Sequence, residues 1–284
     1  MPTQVKATLL TNRKVGSYHH LTFVGEGLAT GVKPGHFAAV AVGGPNTPMV
    51  LRRAFSIHRA AEVTARGATL ELIVSAHGPG TEWLVEQQSG AIVDIVAPLG
   101  KPFALPKEPV NCLLVAGGYG SAPMVYLAEE LVARGCQVDM IFGAGTESKL
   151  FDVLNAKRIA RYFEITTDDG SAGQQGRVSD VMPGIMQKGD ISVVYSCGPM
   201  KMLQSVTDVA SRFGAISQTA VEESMACGIG VCMTCVLPVV GEDGQTRMVR
   251  SCVDGPVFRG DRVRWDEIGT IPDDCLGAPQ SGGH

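Results

Sequence analysis

The sequence predicts a β plus α/β protein: an N-terminal antiparallel β-barrel, a doubly wound parallel-sheet domain and a small C-terminal module built on cysteines. Three observations predict it. Short apolar or alternating runs, separated by Gly and Pro turns, fill the first hundred residues. Beyond Pro102, Pro106 and Pro109, strands alternate with helices. Four of the 8 cysteines gather between Cys227 and Cys252. At roughly 100–200 residues per domain, a chain of 284 residues holds about two domains and a small module. The expected division is 1–104, 108–216 and 218–268, with a flexible tail at 269–284.

In the barrel, Val5–Leu10, His20–Phe23, His36–Val42 and Thr69–Val74 read as strands, with turns such as Gly43-Gly44-Pro45 between them. Met49–Arg52 reads as a further strand-like run, which Arg53-Ala54-Phe55-Ser56 ends. One helix is expected over Thr81–Gln87, after Gly78-Pro79-Gly80, with Thr81 as its cap. In the second domain, Asn111–Ala116 is a buried-type strand, Gly117-Gly118-Tyr119-Gly120 a turn and Ala122–Ala133 a helix. Strands at Gln137–Phe142, Arg161–Thr166 and Ile191–Ser196 and a helix at Met200–Phe213 continue the alternation. From about Thr219 the apolar content is too small for an independent core, so a metal centre is expected to hold that module together.

Composition narrows the class. Apolar residues make up 45% and charged residues 18%, which excludes a disordered chain. The net charge of −4 argues against a nucleic-acid binder. No apolar run is long enough for a membrane span, and the N-terminus lacks the apolar stretch of a signal peptide. A soluble, cytoplasmic protein is expected.

Cys227, Cys232 and Cys235 fall within nine residues, and Cys252 follows after sixteen more. This C-x4-C-x2-C…C spacing is that of plant-type [2Fe-2S] proteins, and Gly228 and Gly230 allow a loop to wrap with its amides inward. A structural zinc site with four thiolates is the alternative, although zinc usually takes two close pairs. Arg53-Ala54-Phe55-Ser56 offers a flavin grip: Arg for the pyrophosphate, Phe55 beside the ring or adenosine, Ser56 toward the isoalloxazine edge. Gly80-Thr81 at a helix start suits the same pyrophosphate. An ordinary strand with a surface Arg is the plain alternative. Gly117-Gly118, Gly143-Ala144-Gly145 and Cys197-Gly198-Pro199 follow strands, where an open α/β sheet binds its ligand.

Together these residues resemble the ferredoxin-NADP reductase superfamily. Within it they resemble the iron-sulfur electron-transfer subunits of B-type, NAD-linked dihydroorotate dehydrogenases. Leu51-Arg52-Arg53-Ala54-Phe55-Ser56-Ile57 is similar to the flavin motif. Gly117–Pro123, Thr167-Asp168-Asp169-Gly170-Ser171 and Ser196–Pro199 are similar to the nucleotide motifs. Glu222-x-x-Met225-Ala226-Cys227-Gly228-Ile229-Gly230-x-Cys232 and Cys252-x-Asp254-Gly255-Pro256-Val257-Phe258 are the most specific matches. The chain departs from the pattern at Ala54, where Pro is usual, and at Tyr119, where a small aliphatic is common. It departs again at Val74-Ser75-Ala76, where Tyr-Arg-Val is frequent.

The resemblance implies three cofactors. FAD would be held by Arg53, Ala54, Phe55, Ser56, Val74, Ser75, Ala76, Gly80 and Thr81. NAD(H), a diffusible substrate, would be bordered by Gly117, Gly118, Cys197, Gly198 and Pro199. A [2Fe-2S] cluster would be ligated by Cys227, Cys232, Cys235 and Cys252. It also implies a partner, a catalytic FMN-containing dihydroorotate dehydrogenase subunit, with electrons running from that FMN through the cluster and FAD to NAD⁺ in pyrimidine biosynthesis. No residue of this sequence reads as a general base for dihydroorotate. The competing expectations are a reductase subunit for a hydrogenase or oxygenase, and a zinc-stabilised binding module with no activity.

Overall fold

The computed structural model describes residues 1–44 and 46–278. Pro45 and residues 279–284 of the expected tail lie outside the described residues. Six strands close the N-terminal barrel: β1 (Thr3–Val15), β2 (Tyr18–Val24), β3 (Phe37–Val40), β4 (Arg53–Ala61), β5 (Thr69–Val74) and β6 (Ile92–Leu99), in the order β1-β2-β5-β4-β3-β6. Alternation puts Leu9, Leu21, Phe23, Leu70, Leu72 and Ile95 inside, all fully buried. Each such side chain contributes about 1.5–3 kcal/mol relative to exposure.

One expectation is reversed here. Met49–Arg52 is not a strand; Arg53 begins one. Val40 pairs with Arg53 and Phe37 with Ser56, while Val50 and Leu51 stay exposed and find no apolar surface. The helix α1 (Pro79–Val85) also starts earlier than expected. Pro79 takes its first position, where a fixed φ and a missing N–H cost nothing. Thr81 is therefore its third residue. Its Oγ1 accepts from the amides of His77 and Gly78 at 3.0 and 3.2 Å, which ties down the loop before the helix.

The second unit alternates strand with helix except where two strands, Tyr162–Thr167 and Gln174–Gln175, follow one another. It runs β7 (Asn111–Gly117), α2 (Met124–Ala133), β8 (Gln137–Ala144), α3 (Val153–Ile159), β9 (Tyr162–Thr167), β10 (Gln174–Gln175), α4 (Val178–Gly189), β11 (Val193–Cys197), α5 (Met200–Arg212) and β12 (Ile216–Ala220). The period of two decides the layers. Cys112, Leu114 and Ala116 of β7 face α2, whereas Leu113 and Val115 face α4 and α5. The sheet order is β10-β9-β8-β7-β11-β12, all parallel, with Val257–Arg259 added antiparallel beside β12 at the edge. The crossover beside β7 makes this a doubly wound sheet.

The last unit holds a hairpin, β13 (Val236–Val240) and β14 (Thr246–Arg250), then β15 (Val257–Arg259). It is not a separate bead. The division expected at 216/218 falls inside β12, and β15 pairs with β12 as an edge of the parallel sheet. Nor does the chain loosen at 269. Arg264 pairs with Asp274 at 2.9 Å, Cys275 is buried, and the Leu276 amide bonds to the Thr246 carbonyl at 2.8 Å. Among the described residues no helix is long and apolar enough to cross a membrane.

Candidate functional site

The four clustered cysteines come together on one side of the barrel. Cys235 and Cys252 are buried against Phe37, Ala39 and Leu99, whereas Cys227 is half-buried and Cys232 exposed. Their order in sequence is three and one, but in space they form two pairs. Cys232 lies close enough to Cys227 to bring its pKa down, and Cys235 close enough to Cys252 to push its pKa up. Among the described residues, no three of the four sulfurs converge to within 4.8 Å of one another. A single tetrahedral zinc with bonds of about 2.3 Å needs tighter convergence than that. Two pairs set apart suit a two-iron centre.

The loop chemistry agrees. Gly228 and Gly230 have φ of 71° and 84°, where a side chain would be strained. That conformation turns the amides of Ile229 and Val231 onto the Cys227 sulfur at 3.5 and 3.3 Å. Thr234 donates to the Cys232 sulfur at 3.2 Å. Burial pushes the Cys227 thiol up, but the Ile229 and Cys232 amides, the Cys232 side chain and the Val231 amide bring it down to about 6. Burial, then Cys235, pushes Cys252 up to about 12, a cost that a bound iron's positive charge offsets. The residues fit the cluster.

A cleft of about 500 Å³ joins all three units. Arg53, Ala54, Phe55, Ser56, Ser75 and Thr81 line it from the barrel; Tyr119 and Cys197 from the parallel sheet; Met225, Ala226 and Thr234 from the cysteine loop. Arg53 leans over the start of α1: a Cβ on Gly80 would come within 3.0 Å of its Nε. The neighbouring Arg52 is tied to Asp94 at 2.9 Å, whereas the Arg53 guanidinium bonds only to the Leu51 carbonyl among the described residues, at 2.6 Å, and pairs with no carboxylate there. Val74 does not reach the cleft. Its side chain is fully buried in the barrel core, and Ala76 is exposed outside the lining. Of the three departing residues only Ser75 faces the cleft.

A second cleft, of about 730 Å³, opens at the carboxyl ends of β7, β8 and β9. Gly117, Gly118 and Pro199 line it, with Asp168. A Cβ on Gly117 would meet Pro199 and Met202, and one on Gly198 would lie 3.0 Å from the Gly117 backbone, so the two turns pack glycine to glycine. Sequence reading missed three cations here, Lys149, Lys201 and Arg177. Arg177 precedes α4, an element for which no strong pattern exists because Pro183 and two glycines interrupt it. Basic residues flanking a glycine turn at a distance in sequence were the only available signal.

The family model described as the iron-sulfur cluster binding domain of dihydroorotate dehydrogenase B matches residues 222–264. A second, the oxidoreductase NAD-binding domain, matches residues 114–208. The chain is 33% identical to the dihydroorotate dehydrogenase B (NAD(+)) electron transfer subunit of Desulforamulus reducens, over 87% of this chain and 93% of that one. The subunit of the same name from Geobacillus thermodenitrificans is 35% identical, over 91% and 97%. The chain belongs to this family of electron-transfer subunits. Among solved structures, one of an NADH-dependent reduced ferredoxin-NADP oxidoreductase superposes with a TM-score of 0.80 at 26% identity, covering 93% of this chain and 91% of that one. The cytochrome b5 reductase domain of Ulva prolifera nitrate reductase shares the fold, with a TM-score of 0.60 at 16% identity over 79% and 96%. Family and fold support the expected set of FAD, [2Fe-2S] and NAD.

Proposed function

We propose that this chain links a separate FMN-containing catalytic subunit, which oxidises dihydroorotate, to NAD⁺ in de novo pyrimidine (UMP) biosynthesis. The observation that carries this reading is the three-way cleft, where the flavin grip, the nucleotide turns and the cysteine loop share one cavity. When bound, FAD exchanges hydride with NAD(H) and single electrons with the iron-sulfur cluster.

The chain's own residues position these groups. Arg53 and the start of α1 at Gly80-Thr81 would hold the FAD pyrophosphate. Phe55, packed on the barrel core, gives the ring a rigid wall, and Ser56 offers it a hydroxyl. Gly117, Gly118 and Cys197 to Pro199 leave room for the nicotinamide nucleotide. Cys227, Cys232, Cys235 and Cys252 would ligate iron in the pairs seen above. Ile229, Val231 and Met233 surround the exposed Cys232 and are 57%, 75% and 52% exposed. An apolar rim of that kind suits a desolvated docking face for the partner. A reducing cytoplasm keeps the cysteines out of disulfides, so that four remain available to iron.

The test is reconstitution. The chain mixed with the catalytic subunit should give dihydroorotate-dependent reduction of NAD⁺, and NADH should outperform NADPH in dye reduction. Loss of both, with about one FAD and two irons per chain present, would overturn the reading. A second reading, a reductase subunit of another redox complex, is favoured by the 0.80 TM-score to the ferredoxin-NADP oxidoreductase. Mass spectrometry of the protein that co-purifies separates the two.

A further inference from the structure

Away from both clefts, the barrel meets the parallel-sheet unit at a seam rich in titratable groups. His20 on β2, His58 on β4 and Glu71 on β5 turn their side chains together there, with ligand atoms all within 4.8 Å of one another. His58 reaches this point because the β4–β5 register shifts between Ile57 and Arg59, leaving it in a bulge. Bulges re-aim side chains in this way. The His58 Nδ1 lies 2.6 Å from the Ala122 carbonyl, an acceptor, so Nδ1 carries the proton and Nε2 keeps a free lone pair. Phe151 packs edge-on against the ring, with centroids 5.3 Å apart.

Asp152 faces this group from the other unit. Its side chain is 10% exposed, and its Oδ2 lies 3.9 Å from His58 Nε2. That oxygen is buried and has no hydrogen-bond partner among the described residues. The other oxygen accepts from Asn155 at 2.7 Å. Asp152 stands at the N-cap of α3 yet makes no capping bond, and it adopts φ of 59°, the left-handed region. A backbone cost of about 1–2 kcal/mol is thus spent on turning a carboxylate away from its natural cap and toward an imidazole.

We propose that His20, His58 and Glu71 of the barrel bind one divalent transition-metal ion of the zinc class, with Asp152 of the parallel-sheet unit, 3.9 Å from His58 Nε2 but outside the three-residue group, as its outer carboxylate. Imidazole nitrogens and carboxylate oxygens are the donors such ions select. A ring N–H held by a backbone carbonyl, as in His58, is the usual outer support of a metal-bound histidine. Two carboxylates neutralise a dication, which removes the cost of the buried, unpartnered oxygen of Asp152. On binding, His20 and Glu71 exchange their mutual contact of 2.6 Å for bonds to the ion; the one proton of the His20 ring passes from Nε2 to Nδ1, and the Arg13 guanidinium, 3.4 Å from Nδ1, turns aside. Access is open: a cavity of about 740 Å³ reaches these residues from solvent. The ion would clasp the two units that the nucleotide and flavin clefts lie between. The inference does not depend on the cofactor assignments.

The experiment uses the full chain with its iron-sulfur cluster intact, stripped of loose metal by a mild chelator and titrated with zinc chloride by calorimetry. One saturable Zn²⁺ per chain is expected, together with a zinc-dependent rise in melting temperature. His58→Gln and Asp152→Asn should each weaken Kd by at least about tenfold and abolish the rise. His20→Gln serves where His58→Gln does not fold. His19→Gln, whose ring bonds to Asn12 instead, should leave both readouts unchanged. No saturable binding to the parent chain overturns the proposal. So does undiminished binding in Asp152→Asn, or equal loss in His19→Gln.

Discussion

Arg53 is a single residue whose removal should be felt mainly in ligand affinity. Its guanidinium overhangs Gly80 and is braced by the Leu51 carbonyl at 2.6 Å, so it is ordered without being part of the core. Losing a charge-assisted contact costs about 1.5–3 kcal/mol. Arg53→Ala should therefore weaken FAD binding about 10- to 150-fold, read by flavin fluorescence, with the melting profile of the flavin-free chain unchanged. His36 behaves in the opposite way, as a stability residue with no ligand role. Burial, then Lys33 and the N-terminal charge, lowers it to about 4, and its Nδ1 accepts from the Lys33 amide. The unfolded value is 6.5, so its contribution is complete above pH 6.5 and is lost as pH falls toward 4. The swing amounts to about 1–3 kcal/mol. Denaturant melts between pH 7 and 4.5 should show a shallower decline for His36→Gln than for the parent. Parallel declines would remove His36 from the account.

Among the elements, the glycine turns at the ends of β7 and β11 separate structural from functional glycine. A Cβ on Gly120 would strike the Cys197 carbonyl, and backbone cannot yield as a side chain can. Gly120→Ala should spread the two turns, raise KM for NADH and destabilise the parallel sheet by about 1–3 kcal/mol. Gly184, exposed inside α4 with nothing within 4 Å of an added Cβ, is the control. Gly184→Ala should stabilise by up to about 1 kcal/mol without changing KM. Calorimetry and NADH kinetics on the pair check both. These turns were legible in the sequence because glycine at a strand end has a steric cause. So was the cysteine loop, whose spacing is a bonding constraint. What could not be read is what depends on pairing. Arg53 begins β4 instead of ending a strand because β3 supplies its ladder, and Val74 points into the barrel because alternation from Thr69 sets its face. The three-and-one cysteines become two and two only once β14 has carried Cys252 back to Cys235.

At the scale of the whole molecule, the proposed order of carriers can be tested one site at a time. The cysteine loop presents the exposed Cys232 amid Ile229, Val231 and Met233, and the flavin grip, half-buried at Arg53 and Phe55, lines the cleft between units. The two sites share lining residues, Met225, Ala226 and Thr234, but no ligand side chain. Cys232→Ser should therefore disturb the cluster while leaving the flavin in place. Its sulfur is exposed and accepts a hydrogen bond from Thr234, so the fold should survive, with the melting temperature of the barrel unchanged. Dye reduction by NADH needs only the flavin and nucleotide clefts and should keep its rate. Oxidation of dihydroorotate coupled to NAD⁺ in the reconstituted complex needs the path through the cysteine loop and should collapse. Iron and sulfide assays on the variant establish the first condition and stopped-flow absorbance the other two. A coupled rate that persists in a variant shown to lack the cluster would mean that electrons reach the flavin cleft by another face, and the docking surface would have to be sought away from Val231.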